Sequence, residues 1–192
     1  MSPSEAWDIF QEIVKAMAAV HAQGIVHRDL KPENVFLDRQ GKVLIGDWGL
    51  ACRWSSFKKN KASCGSVNYA ASEIVCRRPY TGPEVDMFSM GAILYTMLTG
   101  RMPFGAAGSK DTLRRVAEGK FYMDKILSPT AVSLLEKLFD PDPLRRATVY
   151  HVQSYAPSFK PMEEESEDEE EETEDEEAPT TSSQDSQGCM DV

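Results

Sequence analysis

Between Glu163 and Glu177, thirteen of fifteen residues are Asp or Glu, and the other two are Ser166 and Thr173. Such a run cannot bury enough apolar surface to offset the entropy lost on ordering, and its like charges repel. Whatever folds must therefore lie upstream of it. Charge marks the same border. Residues 1–160 hold all 21 Lys and Arg with 16 acids, about +5 in total. Residues 161–192 hold 15 acids and no base, about −15, and the two parts sum to the chain's −10. The expectation is one mildly basic folded domain over 1–160 and a disordered acidic tail over 161–192.

Several classes are disfavoured. The four cysteines, Cys52, Cys64, Cys76 and Cys189, form no C-x-x-C pair, which argues against a zinc site or disulfide scaffold and fits a reducing compartment. Met1-Ser2-Pro3-Ser4-Glu5 does not read as a secretory leader, and Ser2 excludes N-myristoylation. No Asn-x-Ser/Thr acceptor occurs, and the longest apolar stretch, Met90 to Leu98, is too short to span a bilayer. Cys189-Met190-Asp191-Val192 is no prenylation box, since Asp191 stands where an aliphatic residue is needed. The expected compartment is intracellular, cytoplasmic or nuclear. No basic cluster with an aromatic platform marks a nucleic-acid surface.

Local patterns give a mainly helical domain. Ser2, Pro3 and Glu5 form a capping box with proline in the first turn, and Ala6, Ile9, Phe10, Ile13, Met17 and Val20 follow at helical spacing up to Gln23-Gly24. Val35 to Asp38 and Lys42 to Ile45 read as a small hairpin around Arg39-Gln40-Gly41. Residues 47–73 show no sustained period and read as a long functional loop. A helix apolar all round runs from Gly82-Pro83-Glu84 to Leu98, ends at Thr99-Gly100, and should be central. Three shorter helices are expected near 109–118, 130–139 and 147–154. The glycine-rich Gly105 to Lys110 lacks Walker spacing and reads as a surface loop before a helix. His21 and His151 read as packed or solvent-facing helix residues rather than ligands.

The chemistry concentrates in His27-Arg28-Asp29-Leu30-Lys31-Pro32-Glu33-Asn34. Phosphoryl transfer needs a hydroxyl held in line and cations that spread the charge of the phosphates. Asp29 can accept or orient the hydroxyl proton, Lys31 can neutralise the transferring phosphate, and Asn34 can offer an amide oxygen to Mg²⁺. The string resembles the catalytic loop of protein kinases, and Lys31 makes it similar to the Ser/Thr branch. Asp47-Trp48-Gly49 resembles that family's Asp-Phe-Gly, whose Asp binds Mg²⁺; Trp48 replaces Phe, as in casein kinase two. Ser63 to Glu73 looks like the activation segment of AMP-activated and sucrose-nonfermenting-related kinases, within the calmodulin-dependent group. Those relatives carry a phosphorylatable Thr where this chain has Ala62, so no phosphate there can pair with Arg28, and Ser63 is the adjacent substitute.

What the resemblance implies can be stated residue by residue. Asp29 and Lys31 would be catalytic. Lys31, Glu33, Asn34, Phe36 and Asp47 would form the cofactor side, with Asn34 and Asp47 on the metal. His27, Arg28, Trp48, Gly49, Glu73, Asp86 and Arg145 would be structural. Asp86 would hydrogen-bond the backbone of the catalytic loop, and Glu73 would pair with Arg145. Glu33 suits a basic residue upstream of the phosphorylated Ser or Thr. The implied cofactors are ATP and Mg²⁺. The implied partners are protein substrates or regulators, with neither membrane nor nucleic acid. Ser166 and Thr173, each followed by acids, suit an acidophilic kinase.

The resemblance covers about residues 5–156 and departs from the family before them. No G-x-G-x-x-G and no Val-Ala-x-Lys occurs, and only 26 residues precede His27. The expected architecture is therefore a C-terminal kinase lobe, helical with a small β-hairpin, without the N-terminal lobe. Its exposed small-lobe-facing surface, around Phe36 and Trp48, would invite a partner or aggregation. A partial gene model, a truncated isoform or paralogue, and a chain completed by another subunit all fit. The expected function is that of a truncated Ser/Thr kinase, inactive as this isolated chain, with a non-catalytic pseudokinase-type binding module as the alternative. The tail reads as an autoinhibitory pseudo-substrate, a decoy for nucleic acid or histones, or a solubilising tail.

Overall fold

The first helix begins where its cap residues dictate. In the computed structural model, which describes residues 1–105 and 108–155, Ser2 Oγ accepts from Glu5 N–H at 3.2 Å and Glu5 Oε2 accepts from Ser2 N–H at 2.8 Å. These reciprocal bonds satisfy two backbone donors that a helix start leaves open. Helix α1 then runs Pro3–Ala22 and buries Ala6, Trp7, Phe10, Ile13, Val14, Met17 and His21 on one stripe. That stripe packs on helices α3 and α6 and strand β3, defined below. The tail at 161–192, with Ser166 and Thr173, lies outside the described residues.

Two small antiparallel pairs follow. Strand β1 (Ile25–Val26) pairs with β4 (Cys52–Arg53), Ile25 opposite Arg53 and Val26 opposite Cys52. Strands β2 (Val35–Leu37) and β3 (Val43–Ile45) form the hairpin, with Phe36 opposite Leu44. Asp38 Oδ1 closes the hairpin turn by accepting from Gln40 and Lys42 N–H at 2.8 and 2.9 Å. Short 3-10 turns join the two pairs, Pro32–Asn34 between β1 and β2 and Trp48–Leu50 between β3 and β4.

Helix α2 (Ser72–Val75) leads to α3 (Pro83–Thr99), the centre of the fold. Every residue from Val85 to Tyr95 is buried, as a helix apolar on all sides requires. Gly91 permits its closest contact: a Cβ there would lie 2.9 Å from Leu138 Cβ and 3.0 Å from the Phe139 ring. Gly100, at φ +68°, ends the helix in the left-handed conformation. Helices α4 (Lys110–Glu118), α5 (Pro129–Leu138) and α6 (Val149–Ser154) follow, each capped by a hydroxyl from Ser109, Ser128 or Thr148. Phe88, Phe104 and Phe139 form an aromatic knot with ring centres 4.8–5.5 Å apart. The described chain is thus mainly helical with small antiparallel sheets. Strand β4 and helix α2 break the segment read from sequence as one irregular loop.

Candidate active site

The His27–Asn34 loop leaves β1 through a strained residue. Arg28 has φ +69°, a conformation that L side chains seldom adopt. Asp86, fully buried on α3, holds it there: its Oδ2 accepts from His27 N–H at 2.9 Å and its Oδ1 from Arg28 N–H at 2.8 Å. His21 Nε2 adds a third donor to Oδ2 at 2.9 Å. Three donors replace the water that a buried carboxylate loses, and the bonds fix two consecutive backbone groups. His21 was missed as a participant. Its signal was a titratable ring on the apolar stripe of α1, where a buried polar group needs a partner.

His27 is fully buried and ties the loop to the second carboxylate segment. Asp29 N–H donates to its Nδ1 at 3.3 Å, so its Nε2 carries the hydrogen and donates to Gly46 O at 2.9 Å. Trp48 packs its ring 4.7 Å from the imidazole and donates its indole N–H to Ile45 O at 2.9 Å. The backbone of Gly46 in turn donates to Asn34 O at 2.9 Å. Asn34 and the residue before Asp47 are therefore joined directly. Gly46 leaves room for Phe36, whose ring would lie 2.7 Å from a Cβ at that position.

Asp29 is the hub. Its Oδ1 accepts from Ser66 N–H at 2.7 Å, its Oδ2 from Lys31 Nζ at 3.1 Å, and its carbonyl from Asn34 Nδ2 at 3.0 Å. Lys31 Nζ also donates to Ser66 Oγ at 3.2 Å. Burial is the largest single influence on Asp29 and disfavours its charge, but the bonds from Ser66 and Lys31 outweigh it and hold the carboxyl below its ordinary range. The bond to Asp29 raises Lys31 above its ordinary value, burial opposes this, and the charges of Asp29, Glu33 and Asp47 add to the rise. Gly65, at φ +99°, brings Ser66 to this hub; a Cβ there would sit 2.5 Å from Arg28 O. Gly65 and Ser66 were not singled out from sequence, although the Gly-Ser pair was their signal.

The donors for a hard cation are oxygen atoms. Asn34 is buried, its Nδ2 is committed to Asp29, and its Oδ1 has no protein donor among the described residues. Asp47, at φ +55°, is exposed; its Oδ1 caps Gly49 N–H at 3.4 Å and its Oδ2 is open. An amide oxygen and a carboxylate suit Mg²⁺, which keeps several waters and needs few protein ligands. No group of three or more His, Cys, Asp or Glu side chains that could hold a metal occurs among the described residues. Glu33 and Phe36 are exposed beside this arrangement.

One expected pair is corrected. Glu73 is not paired with Arg145 but with Arg146, whose Nη1 and Nη2 donate to its two carboxylate oxygens at 2.7 and 2.8 Å. Both are buried, at 1% and 3% exposure. Arg146 also donates to Asp140 O and Glu84 O, at 3.0 and 2.6 Å. The reason is the turn: Arg145 and Arg146 N–H both donate to Asp142 O, which turns one side chain outward and its neighbour inward. Arg145 is 69% exposed and meets Asp140 and Asp142. Arg28 Nε donates to Leu50 O at 2.7 Å, and Nη1 reaches Tyr80 OH at 3.5 Å. Ser63 Oγ donates to Ile74 O at 3.2 Å.

A protein kinase domain model matches residues 1–156. The chain is 42% identical over 152 residues to the carbon catabolite-derepressing protein kinase of Candida tropicalis, covering 79% of this chain and 25% of that protein. It is 41% identical over 152 residues to the protein of the same name in Saccharomyces cerevisiae, with 79% and 24% covered. The chain thus spans about a quarter of the length of these curated relatives.

Proposed function

Because the chain belongs to the protein kinase domain family, we infer that residues 1–155 form the large lobe of a Ser/Thr kinase that acts on protein hydroxyls with ATP and Mg²⁺. The observation that carries this reading is the Asp29 hub, in which one loop holds a carboxylate, an ammonium and a fixed amide together. In this reading Asp29 receives or orients the substrate hydroxyl proton. Lys31, kept charged by Asp29, faces the transferred phosphate. Asn34 and Asp47 would hold the metal, which would supply charge neutralisation to the phosphates. Glu33, exposed next to Lys31, grips a basic residue upstream of the target hydroxyl. Arg28, His27 and Asp86 are positioning residues that keep Asp29 in place.

The 192 residues contain no glycine-rich phosphate loop and no paired strand lysine. Transfer requires both, and on this reading the chain alone does not carry it out. The test is phosphate transfer from Mg-ATP to a Ser peptide with an upstream arginine. The account expects none from the purified chain and no thermal stabilisation by millimolar Mg-ATP. Transfer by the chain that disappears with Asp29→Asn would overturn the inactivity. Transfer that survives this substitution marks a contaminating kinase.

The second reading, a binding module that docks proteins without transferring phosphate, rests on one feature. Phe36, Leu37, Leu44, Trp48 and Leu50 expose 36–53% of their surfaces on and beside the β2–β3 hairpin. An apolar patch of this kind suits a partner surface. No described helix is long and apolar enough to cross a membrane.

A further inference from the structure

The segment that follows β4 reaches Asp29 through Ser66, and one phenol stands between it and Arg28. Arg28 is half-buried and forms no ion pair among the described residues. Its guanidinium is met by neutral oxygens, Leu50 O at 2.7 Å and Tyr80 OH at 3.5 Å. Tyr80 is 1% exposed, and its hydroxyl donates to Ala62 O at 3.0 Å. A single oxygen thus touches both the residue before Asp29 and the backbone of the segment. Burial raises this phenol above its ordinary value, and the bond from Arg28 opposes the rise. The hydroxyl therefore keeps the proton that it donates.

The backbone around Tyr80 grips the same segment. Asn60 and Tyr80 exchange both backbone bonds, at 2.7 and 3.0 Å, and Asn60 Nδ2 donates to Thr81 O at 2.9 Å. Lys59 Nζ donates to Thr81 Oγ1 at 2.6 Å. The Glu84 carboxylate fixes the chain just past Tyr80 by accepting from Thr81 and Gly82 N–H. Beyond Ala62, Ser63 Oγ donates to Ile74 O at 3.2 Å, and Ser66 N–H donates to Asp29 Oδ1 at 2.7 Å. Ala62 lies between these anchors and has no polar side chain. Among the described residues its one hydrogen bond is the one from Tyr80.

We propose that Tyr80 is a positioning residue, a neutral latch whose phenol ties Ala62 to Arg28 and keeps Ser66 on Asp29 with no phosphate on the segment. The inference rests on the reading proposed above and names how the Asp29 hub of that site stays assembled. A hydroxyl suits this place because it accepts from the guanidinium and donates to the carbonyl, so neither group is left without a partner away from water. The remaining anchors of the segment are hydrogen bonds to backbone or hydroxyl oxygens and to Asp29, and each forms on folding alone. The order of the segment is then set by the chain's own sequence and needs no second enzyme to install it.

The test is amide exchange by NMR on the full chain, in a preparation whose mass shows no added phosphate. Neither ATP nor phosphate transfer enters it, so the latch can fail while the kinase reading stands, and the reverse. In the unmodified wild type the Asn60 and Ser66 amides should exchange about a hundredfold or more slower than in an unstructured peptide. Tyr80→Phe keeps the ring and removes only the hydroxyl, and it should speed both amides about tenfold, the effect of one buried hydrogen bond. Tyr95→Phe is the control. Tyr95 is equally buried, and its hydroxyl also donates to a carbonyl, Tyr122 O at 3.0 Å, outside the segment. That variant should leave Asn60 and Ser66 as they are in the wild type. Unprotected amides in the unmodified wild type, no change in Tyr80→Phe, or equal speeding by both variants would overturn the proposal.

Discussion

Replacing Glu73 with Gln leaves the Arg146 guanidinium buried without its counter-charge, and the loss should be about 3–5 kcal/mol in urea unfolding. Arg145→Ala, at an exposed residue one position away, should stay within about 0.5 kcal/mol. Equal effects of Glu73→Gln and Arg145→Ala would contradict the assignment. Asp86→Asn exchanges a triple acceptor for a group that must turn a donor toward some of its three partners, and should cost about 3 kcal/mol. The Asp29–Lys31 pair sets a pH window. Asp29 is held low, so its contribution is complete above about pH 4 and is lost as pH falls through the lowered value. Lys31 is held high, so its contribution is complete below about pH 10 and is lost as pH rises through the raised value. The stability difference between the wild type and Asp29→Asn should therefore be flat near neutrality and shrink toward zero in acid. Asp29, Lys31 and Asn34 were legible because their chemistry lies in one contiguous string. Arg146 was not, because two adjacent arginines look alike until a turn sends one of them inside.

Elements written in long periods were equally legible. Helix α1 announced its cap, its apolar stripe and its end, and α3 its start at Pro83, its end at Gly100 and the burial of Val85 to Tyr95. Ser2→Ala removes one side of the capping box and should cost about 1 kcal/mol, read from thermal or urea unfolding. Strand β4, with two residues, and helix α2, with four, were not seen. Neither has enough length to show a period, and both exist because of what they pack on: β4 pairs with β1, and Glu73 of α2 is anchored by Arg146. Gly65 belongs to this scale too. Any side chain there meets Arg28 O, so Gly65→Ala should detach Ser66 from Asp29. The Ser66 amide should then exchange about tenfold faster or more, while an unchanged rate would show that the loop has room.

At the scale of the whole molecule, the sequence and the structure describe a mainly helical chain with two small antiparallel strand pairs. The helical content was readable because α1 and α3 carry their apolar patterns and end signals in the sequence. The hairpin from Val35 to Ile45 was readable too, and the bond from Gly46 N–H to Asn34 O sets the backbone before Asp47 against Asn34. That Asn34 and Asp47 share a metal is the part of the proposed reading most open to direct test, and Mn²⁺ in place of Mg²⁺ tests it by paramagnetic broadening in the NMR spectrum. The account predicts that the Asn34 side-chain amide and the Trp48 indole N–H broaden together, and that Asp47→Asn restores both. If those two signals stay sharp while only the resonances of the acidic run Glu163–Glu177 broaden, Asn34 and Asp47 do not share a metal, and the account is contradicted.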